Sequence, residues 1–183
     1  PLVVHVPGYG AEISTHPEIV DSGYNVLHIC PKGYITPEGT DESKKKFDTW
    51  PVLPNTVLNT PNKGYKVWLA NCIMAISWAV NQSEVINDRI SFIGTSQGGG
   101  AALLLASLYK DKNVRCVAAD VPFLINFPLA EFRGAYHLAK KGMDLAEDKN
   151  AAWHELGYID VLSHANRLEL PVLLTAGGND NTC

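Results

Sequence analysis

Short apolar runs alternate along the chain with longer stretches in which apolar and polar residues are mixed. Each run is nearly continuous in Val, Ile, Leu and Ala and ends at turn residues, a pattern typical of strands covered on both faces. Strands that alternate with helical stretches predict an α/β fold, a mainly parallel sheet with helices on both faces. The predicted strands are residues 2–6, 26–30, 90–94, 114–119 and 172–176.

Two of the intervening stretches have the pattern of helices. Residues 67–80 place apolar side chains at near-helical intervals, and residues 98–109 are rich in Ala and Leu, which predicts a tightly packed helix. Residues 32–66 are rich in Pro, Asn, Thr and Lys and are predicted to form an irregular excursion, a kind of loop that is often functional. Residues 128–157 look helical in parts, and their position suits either a cap over an active site or a peripheral pair of helices.

Length and composition narrow the class of protein. The chain has 183 residues, 46% of them hydrophobic and 19% charged, which fits one globular domain with a single core. The net charge is −4 and the basic run Lys44-Lys45-Lys46 has acidic neighbours, so no nucleic-acid surface is predicted. No apolar run is long enough to span a bilayer. The four cysteines show no metal-ligand pairing and are expected to be small buried side chains.

Both ends of the chain adjoin predicted core strands. The sequence begins in one such strand, without an initiator Met or a signal peptide, and stops in the loop directly after another. Because a natural domain seldom begins and ends on buried strands, we expect residues 1–183 to be a single, partial domain that is cut at both ends. Targeting signals are therefore not readable from this sequence.

The strongest chemical signal is Gly94-Thr95-Ser96-Gln97-Gly98, which matches G-x-S-x-G. A predicted strand precedes it and an Ala/Leu-rich helix follows it, the context of a nucleophile elbow. In such a turn Ser96 is strained and the backbones approach closely, so both flanking positions must be glycine. The Ser96 hydroxyl is then the nucleophile, and the backbone N–H of Gln97 points at the developing oxyanion. A Gly-rich turn that binds phosphate or only packs is the alternative.

The loop after the first predicted strand is the candidate for the second half of an oxyanion hole. Residues 5–10 read His-Val-Pro-Gly-Tyr-Gly, and the glycines would let the main chain approach a substrate carbonyl. In hydrolases with a nucleophile elbow, a backbone N–H of this loop completes the oxyanion hole. Tyr9 is the best candidate for that donor. An ordinary Pro-Gly turn after a strand is the alternative.

The acid of a catalytic triad is expected in the loop after the last strand. Asp180 lies there, in Gly177-Gly178-Asn179-Asp180, and would orient an imidazole and stabilise its cation. Asp120, at the end of the preceding strand, is a rival, but we expect it to cap a turn or to hydrogen-bond a neighbouring loop. In this class of enzyme the order along the chain is Ser, acid, His.

No histidine follows Asp180, so the triad His is predicted to lie outside this chain. His154 and His164 come too early in that order to be assigned this role. His5 and His28 are expected to be packed strand residues, and His16 a solvated loop residue. The histidines of the chain are His5, His16, His28, His137, His154 and His164.

Taken together, these residues resemble the acetyl xylan esterase and cephalosporin-C deacetylase family of carbohydrate esterases, in the α/β-hydrolase superfamily. The resemblance includes the elbow, with its glutamine after the serine, and the oxyanion loop. It extends to Asp120-Val121-Pro122-Phe123-Leu124 and to the approach to the acid loop at residues 158–165, and matches are scattered over nearly the whole chain. Where the family carries Arg-Gly-Gln, this chain reads Pro31-Lys32-Gly33-Tyr34, a departure that bears on the substrate class more than on the reaction type.

The resemblance implies an α/β-hydrolase catalytic domain with a Ser-His-Asp triad and no metal or organic cofactor. Such an enzyme would remove acetyl groups from short acetylated xylo-oligosaccharides or similar small esters, through an acyl-enzyme on Ser96. It also implies a cytoplasmic homo-oligomer whose only other partner is the small acetylated substrate. The alternatives are a peptidase or dienelactone-hydrolase-like enzyme, and a noncatalytic hydrolase-fold module that binds a ligand or partner.

Overall fold

Five parallel strands form one sheet, in agreement with the alternation of apolar runs. The computed structural model describes residues 1–9, 15–30, 52–61, 64–109 and 113–183. The spatial order of the strands is β2-β1-β3-β4-β5. Their bounds are β1 Leu2–Val6, β2 Asn25–His28, β3 Ile90–Thr95, β4 Val114–Asp120 and β5 Val172–Leu174.

The strand order reverses between β1 and β3. The chain passes from β1 outward to β2 and then returns to the other side of β1 as β3. In open α/β sheets, ligands bind at such a reversal, outside the carboxyl ends of the strands. The loop after β1 and the turn after β3 both leave the sheet at this point, so the topology brings the predicted oxyanion loop and the predicted elbow together.

Helices connect the strands of the described residues. The Ala/Leu-rich helix after β3 packs against β1, β3 and β4, and its residues from Gln97 to Ser107 are all buried, as expected of a helix that is apolar all round. The bounds are α1 Pro17–Asp21, α2 Val52–Val57, α3 Tyr65–Ala79, α4 Gln97–Leu108, α5 Phe127–Ala130, α6 His137–Leu145, α7 Lys149–Gly157 and α8 Val161–His164, with 3₁₀ turns at Gly134–Tyr136 and Ala165–Arg167. Within the residues described, no helix has the length and apolarity required to cross a membrane.

One expectation about regular structure was wrong. Residues 32–66 are not irregular throughout, because α2 forms within them and buries Val52, Leu53 and Val57. An added Cβ at Gly142 of α6 would lie 2.8 Å from the Cβ of Val57, so α2 and α6 pack closely together. Residues 32–51, with the departure at Pro31-Lys32-Gly33-Tyr34, and residues 62–63 lie outside the described part of the chain.

β5 is the most exposed strand of the described residues. Val172, Leu173 and Leu174 are 39%, 65% and 55% exposed. Among the described residues the strand pairs with β4 alone, at the edge of the five-stranded sheet. The buried face of α3 is formed by Leu69, Cys72 and Ile76. Val67 and Trp78, two other apolar residues of this helix, are exposed.

A buried carboxylate connects the end of the sheet to the helices that follow it. Asp160 is 5% exposed, and its two oxygens accept hydrogen bonds from the backbone amides of Asn126 at 2.8 Å and Phe127 at 2.9 Å. It also accepts one from the amide of Leu162 at the start of α8, at 2.9 Å. Because buried polar groups require hydrogen-bond partners, these three bonds fix the loop between β4 and α5 to the start of α8.

Candidate active site

Ser96 lies between β3 and α4 in a strained backbone conformation. Its φ is 53° and its ψ is −120°, a combination that costs a non-glycine residue about 1–3 kcal/mol. The neighbouring strand maintains it, because the Ser96 amide donates to the Asp120 carbonyl at 2.8 Å and the Phe123 amide donates to the Ser96 carbonyl at 2.9 Å. Strain of this kind persists only where the surrounding structure enforces it. The backbone at Ser96 therefore forms the strained strand-to-helix turn that the sequence predicted.

The glycines on either side of Ser96 are required by space. An added Cβ at Gly94 would lie 2.8 Å from the Val6 carbonyl oxygen. At Gly98 it would overlap that same oxygen and lie 2.5 Å from the carbonyl oxygen of Pro7. All of these obstacles are backbone atoms, which cannot rotate away. The turn after β3 therefore packs directly against the end of β1, the packing that the G-x-S-x-G spacing predicted.

The loop after β1 contacts the elbow. A Cβ at Gly8 would lie 3.1 Å from the Thr95 carbonyl oxygen and 3.6 Å from the Cβ of Ser96. Tyr9, the next residue, lines the same cavity as Ser96 and Gln97. The structure thus brings together the nucleophile and both residues whose amides are predicted to form the oxyanion hole; that role of the amides stays a prediction. Gly10, the last residue of the predicted loop, lies outside the described residues.

The cavity beside Ser96 has a volume of about 550 Å³, within the range of small-molecule sites. Its wall is mainly apolar and aromatic, with a few polar groups around it. Several parts of the chain contribute to it, including the helical segment between β4 and β5. The lining residues are Tyr9, Leu53, Tyr65, Ser96, Gln97, Phe123, Gly134, Ala135, His137, Leu138, Lys141, Asn181 and Thr182.

A buried polar pair supports the elbow from behind. The side-chain amide nitrogen of Gln97 donates to the hydroxyl of Tyr65, and the two residues are 3% and 1% exposed. The Tyr65 amide in turn donates to the Thr56 hydroxyl at 3.0 Å, which connects α3 to α2. The hydrogen bond between the two side chains holds Gln97, the residue that follows Ser96, in one position.

Asp180 lies in the exposed loop after β5. Its Oδ1 accepts hydrogen bonds from the backbone amides of Thr182 at 2.8 Å and Cys183 at 3.1 Å. These two bonds lower the pKa of the Asp180 carboxyl, which is therefore ionised at neutral pH. Asn181 and Thr182 line the cavity, whereas Asp180 borders an adjacent groove. The loop is where a triad acid would be needed, and the acid role of Asp180 stays a prediction.

Asp120 has the structural role that was expected of it. Its carboxylate accepts a hydrogen bond from the Thr175 hydroxyl, and that hydroxyl accepts one from the Val121 amide at 3.1 Å. The side chain thus connects the end of β4 to the segment after β5. Because Val121 has a φ of 38°, this connection supports a second strained turn beside the elbow.

Sequence reasoning missed one residue that contacts Ser96 and two that line its cavity. Cys183 places its Sγ 3.3 Å from the Oγ of Ser96, and burial raises the pKa of this thiol. His137 and Lys141, four residues apart in α6, line the cavity on one helical face, and their i, i+4 spacing was the signal that could have identified them. Of the six histidines, all within the described residues, His137 alone lines this cavity. Its Nδ1 donates to the Gly134 carbonyl at 2.6 Å.

Comparisons with known proteins point to one family of esterases. The family model for acetyl xylan esterase (AXE1) matches residues 1–183. The acetyl esterase Axe7A of Xylanibacter ruminicola is 29% identical over the whole chain, which spans 43% of the length of that relative. The crystal structure of acetyl xylan esterase 1 from Thermoanaerobacterium sp. JW/SL YS485 superposes with a TM-score of 0.76 at 24% identity, over 100% of this chain and 61% of that one.

A second solved structure, the acetyl xylan esterase from Paenibacillus sp. R4, matches with a TM-score of 0.68 at 19% identity, over 98% of this chain and 68% of that one. At these identities the structures show the fold. They confirm the α/β-hydrolase fold that the resemblance implied, and the parallel order of the five strands agrees with it.

Proposed function

This chain belongs to the acetyl xylan esterase family, and on that premise we propose that it carries the nucleophile of a serine esterase that deacetylates small acetylated carbohydrates. The observation that carries the proposal is Ser96, held at a φ of 53° on the wall of a cavity of about 550 Å³. Strained backbone of this kind clusters at active sites. Since the chain spans less than half of its curated relative, the proposal concerns the whole protein to which it contributes.

In the proposed mechanism, the Oγ of Ser96 attacks the acetyl carbonyl carbon while an imidazole accepts its proton. The backbone N–H groups of Gln97 and Tyr9 stabilise the oxyanion, and the imidazolium then donates the proton to the departing sugar oxygen. Water attacks the acetyl-Ser96 ester by the same steps in reverse order and releases acetate. Asp180 orients the imidazole and stabilises its cation. Neither a metal nor an organic cofactor takes part.

The cavity favours a small acetyl ester as substrate. Phe123, Leu53 and Leu138 offer apolar surface for an acetyl methyl group and for the faces of sugar rings. His137 and Lys141 from α6 and Asn181 from the acid loop add hydrogen-bonding groups that suit sugar hydroxyls. We therefore propose that residues 128–157 cap the site and contribute to substrate choice. From the family resemblance we also propose acetylated xylo-oligosaccharides as substrates, a homo-oligomeric assembly and a cytoplasmic location.

The test is acetate release from acetylated xylo-oligosaccharides by the full-length protein. Ser96→Ala removes the nucleophile, and Ser163→Ala, an exposed serine of α8, is the matched control. Release that Ser96→Ala abolishes and Ser163→Ala retains supports the esterase and its carbohydrate substrate. If the protein hydrolyses only p-nitrophenyl acetate, and this hydrolysis requires Ser96, the result supports the esterase assignment and rejects the carbohydrate substrate. No hydrolysis of either compound favours the noncatalytic binding module.

A further inference from the structure

Three histidines that are distant in sequence meet at the carboxyl ends of β1 and β2. His5 and His28 occupy the same register position in these neighbouring parallel strands, and their Nδ1 atoms are 3.0 Å apart. The ring of His16, which precedes α1, lies 4.3 Å from the ring of His5 and 5.4 Å from that of His28, centroid to centroid. One ring nitrogen from each residue falls within 4.8 Å of the other two.

The expectation that His16 is a solvated loop residue was wrong. Its side chain is 21% exposed and stacks on the ring of His28 at an interplanar angle of 12°. A left-handed backbone, with φ 45° and ψ 58°, turns it toward the strands. Its Nδ1 lies 3.0 Å from the Glu18 carboxylate and donates to it, which directs the buried Nε2 away from that carboxylate. A carboxylate behind one ring nitrogen is the arrangement that orients metal-binding histidines in proteins.

Hydrogen bonding among the rings does not account for the cluster. A neutral imidazole has one N–H, so in the contact between the Nδ1 atoms of His5 and His28 only one nitrogen can donate. The Nε2 of His28 is buried and has no hydrogen-bond partner among the described residues, which is costly for a polar group. A neutral imidazole binds a metal ion through the ring nitrogen that carries no proton.

We propose that His5, His16 and His28 bind a divalent transition-metal ion, zinc foremost, with Glu18 as the outer carboxylate. Three imidazoles are a ligand set that zinc accepts, with a fourth position left for water. A cavity of about 230 Å³ borders His5 and His16 and provides access for the ion and that water. The ion would join β1, β2 and the start of α1 just behind the oxyanion loop. It takes no part in ester hydrolysis, so the site stands independently of the proposed function.

The test is zinc binding by the full-length protein after removal of metal with a chelator. Isothermal titration with zinc chloride is expected to give one site per chain, lost in His16→Asn and in His28→Asn. Glu18→Gln should weaken binding about 10- to 100-fold, because the carboxylate only orients His16. His154→Asn replaces an exposed histidine of α7 and is the matched control, with unchanged binding. Binding below one equivalent, or equal binding in His16→Asn and the unsubstituted protein, would overturn the proposal.

A second measurement requires no variant to fold. Cobalt(II) bound by three imidazoles and a water gives visible absorption far more intense than that of hexaaqua cobalt, and zinc should remove it on a one-to-one basis. Zinc should also raise the Tm of the unsubstituted protein. Absorption no stronger than that of free cobalt, or a Tm that zinc does not move, would rule the site out.

Discussion

Gly98 of α4 packs so closely on the end of β1 that a Cβ at this position would overlap the carbonyl oxygen of Val6. The contact joins the strand that carries the predicted oxyanion loop to the helix that carries Gln97. It therefore sets the distance between the two halves of the predicted oxyanion hole, and a side chain at residue 98 must push them apart.

We expect Gly98→Ala to lower both stability and activity. Overpacking against backbone costs about 1–3 kcal/mol or more, and displacement of the Gln97 amide should reduce kcat as well. Gly157→Ala is the matched control, because the nearest atom to its added Cβ is 3.9 Å away, at the Ser163 side chain. Urea unfolding and ester hydrolysis measure the two effects. Equal stability of the two variants would contradict the packing argument.

Asp180→Asn should reduce kcat by about 10⁴-fold if Asp180 orients the catalytic imidazole. The side chain is exposed, so the Tm should change little, which separates a catalytic effect from a structural one. Because the Thr182 and Cys183 amides lower the pKa of Asp180, the acid limb of the pH–rate profile should report the imidazole instead. Asp144→Asn, an exposed acid of α6, is the control, and comparable kcat values for the two variants would reject Asp180 as the triad acid.

His137→Asn tests whether the base lies within this chain. The ring lines the cavity and its Nδ1 is engaged by the Gly134 carbonyl, so we expect a substrate-contacting role. The variant should raise KM and change kcat by less than about tenfold relative to the unsubstituted protein, because the lost contact stabilises the bound substrate and the transition state equally. Steady-state kinetics with p-nitrophenyl acetate and with an acetylated xylo-oligosaccharide separate the two constants. A loss of kcat by several orders of magnitude would instead identify His137 as the base.

Tyr65→Phe removes the hydroxyl that pairs with the Gln97 side chain. The amide of Gln97 would then be buried without that partner, at a cost of about 1–3 kcal/mol, and the start of α4 would lose a positioning contact. Tyr24→Phe, at a tyrosine that is 41% exposed, should be close to neutral. Thermal unfolding compares the two variants, and an unchanged Tm for Tyr65→Phe would show that the pair does not stabilise the elbow.

The elbow and the five strands could be predicted because their signals are local. G-x-S-x-G between an apolar run and an Ala/Leu-rich helix specifies a turn whose steric demands lie within a few residues. The helix α2 could not be predicted from its Pro- and Asn-containing sequence, since it packs on a partner, Gly142, that is far away in the chain.

The three-histidine cluster was not predictable for a similar reason. His5 and His28 meet because of the register between β1 and β2, and His16 reaches them through a left-handed turn. No spacing in the sequence has a metal-binding pattern. The contact between Cys183 and Ser96 also arises from the tertiary arrangement of the acid loop beside the elbow, whereas composition alone indicated only a small apolar side chain.

The most direct test of the central claim, that Ser96 is the nucleophile, is covalent labelling of the full-length protein with a fluorophosphonate, followed by peptide mapping. The probe reacts with activated serine hydroxyls, so the account predicts one label per chain, on the peptide that contains Ser96, and none in folded Ser96→Ala. Cys183 lies 3.3 Å from the same hydroxyl and should remain unlabelled. A folded protein that takes up no label, or a label that persists in Ser96→Ala, would contradict the assignment.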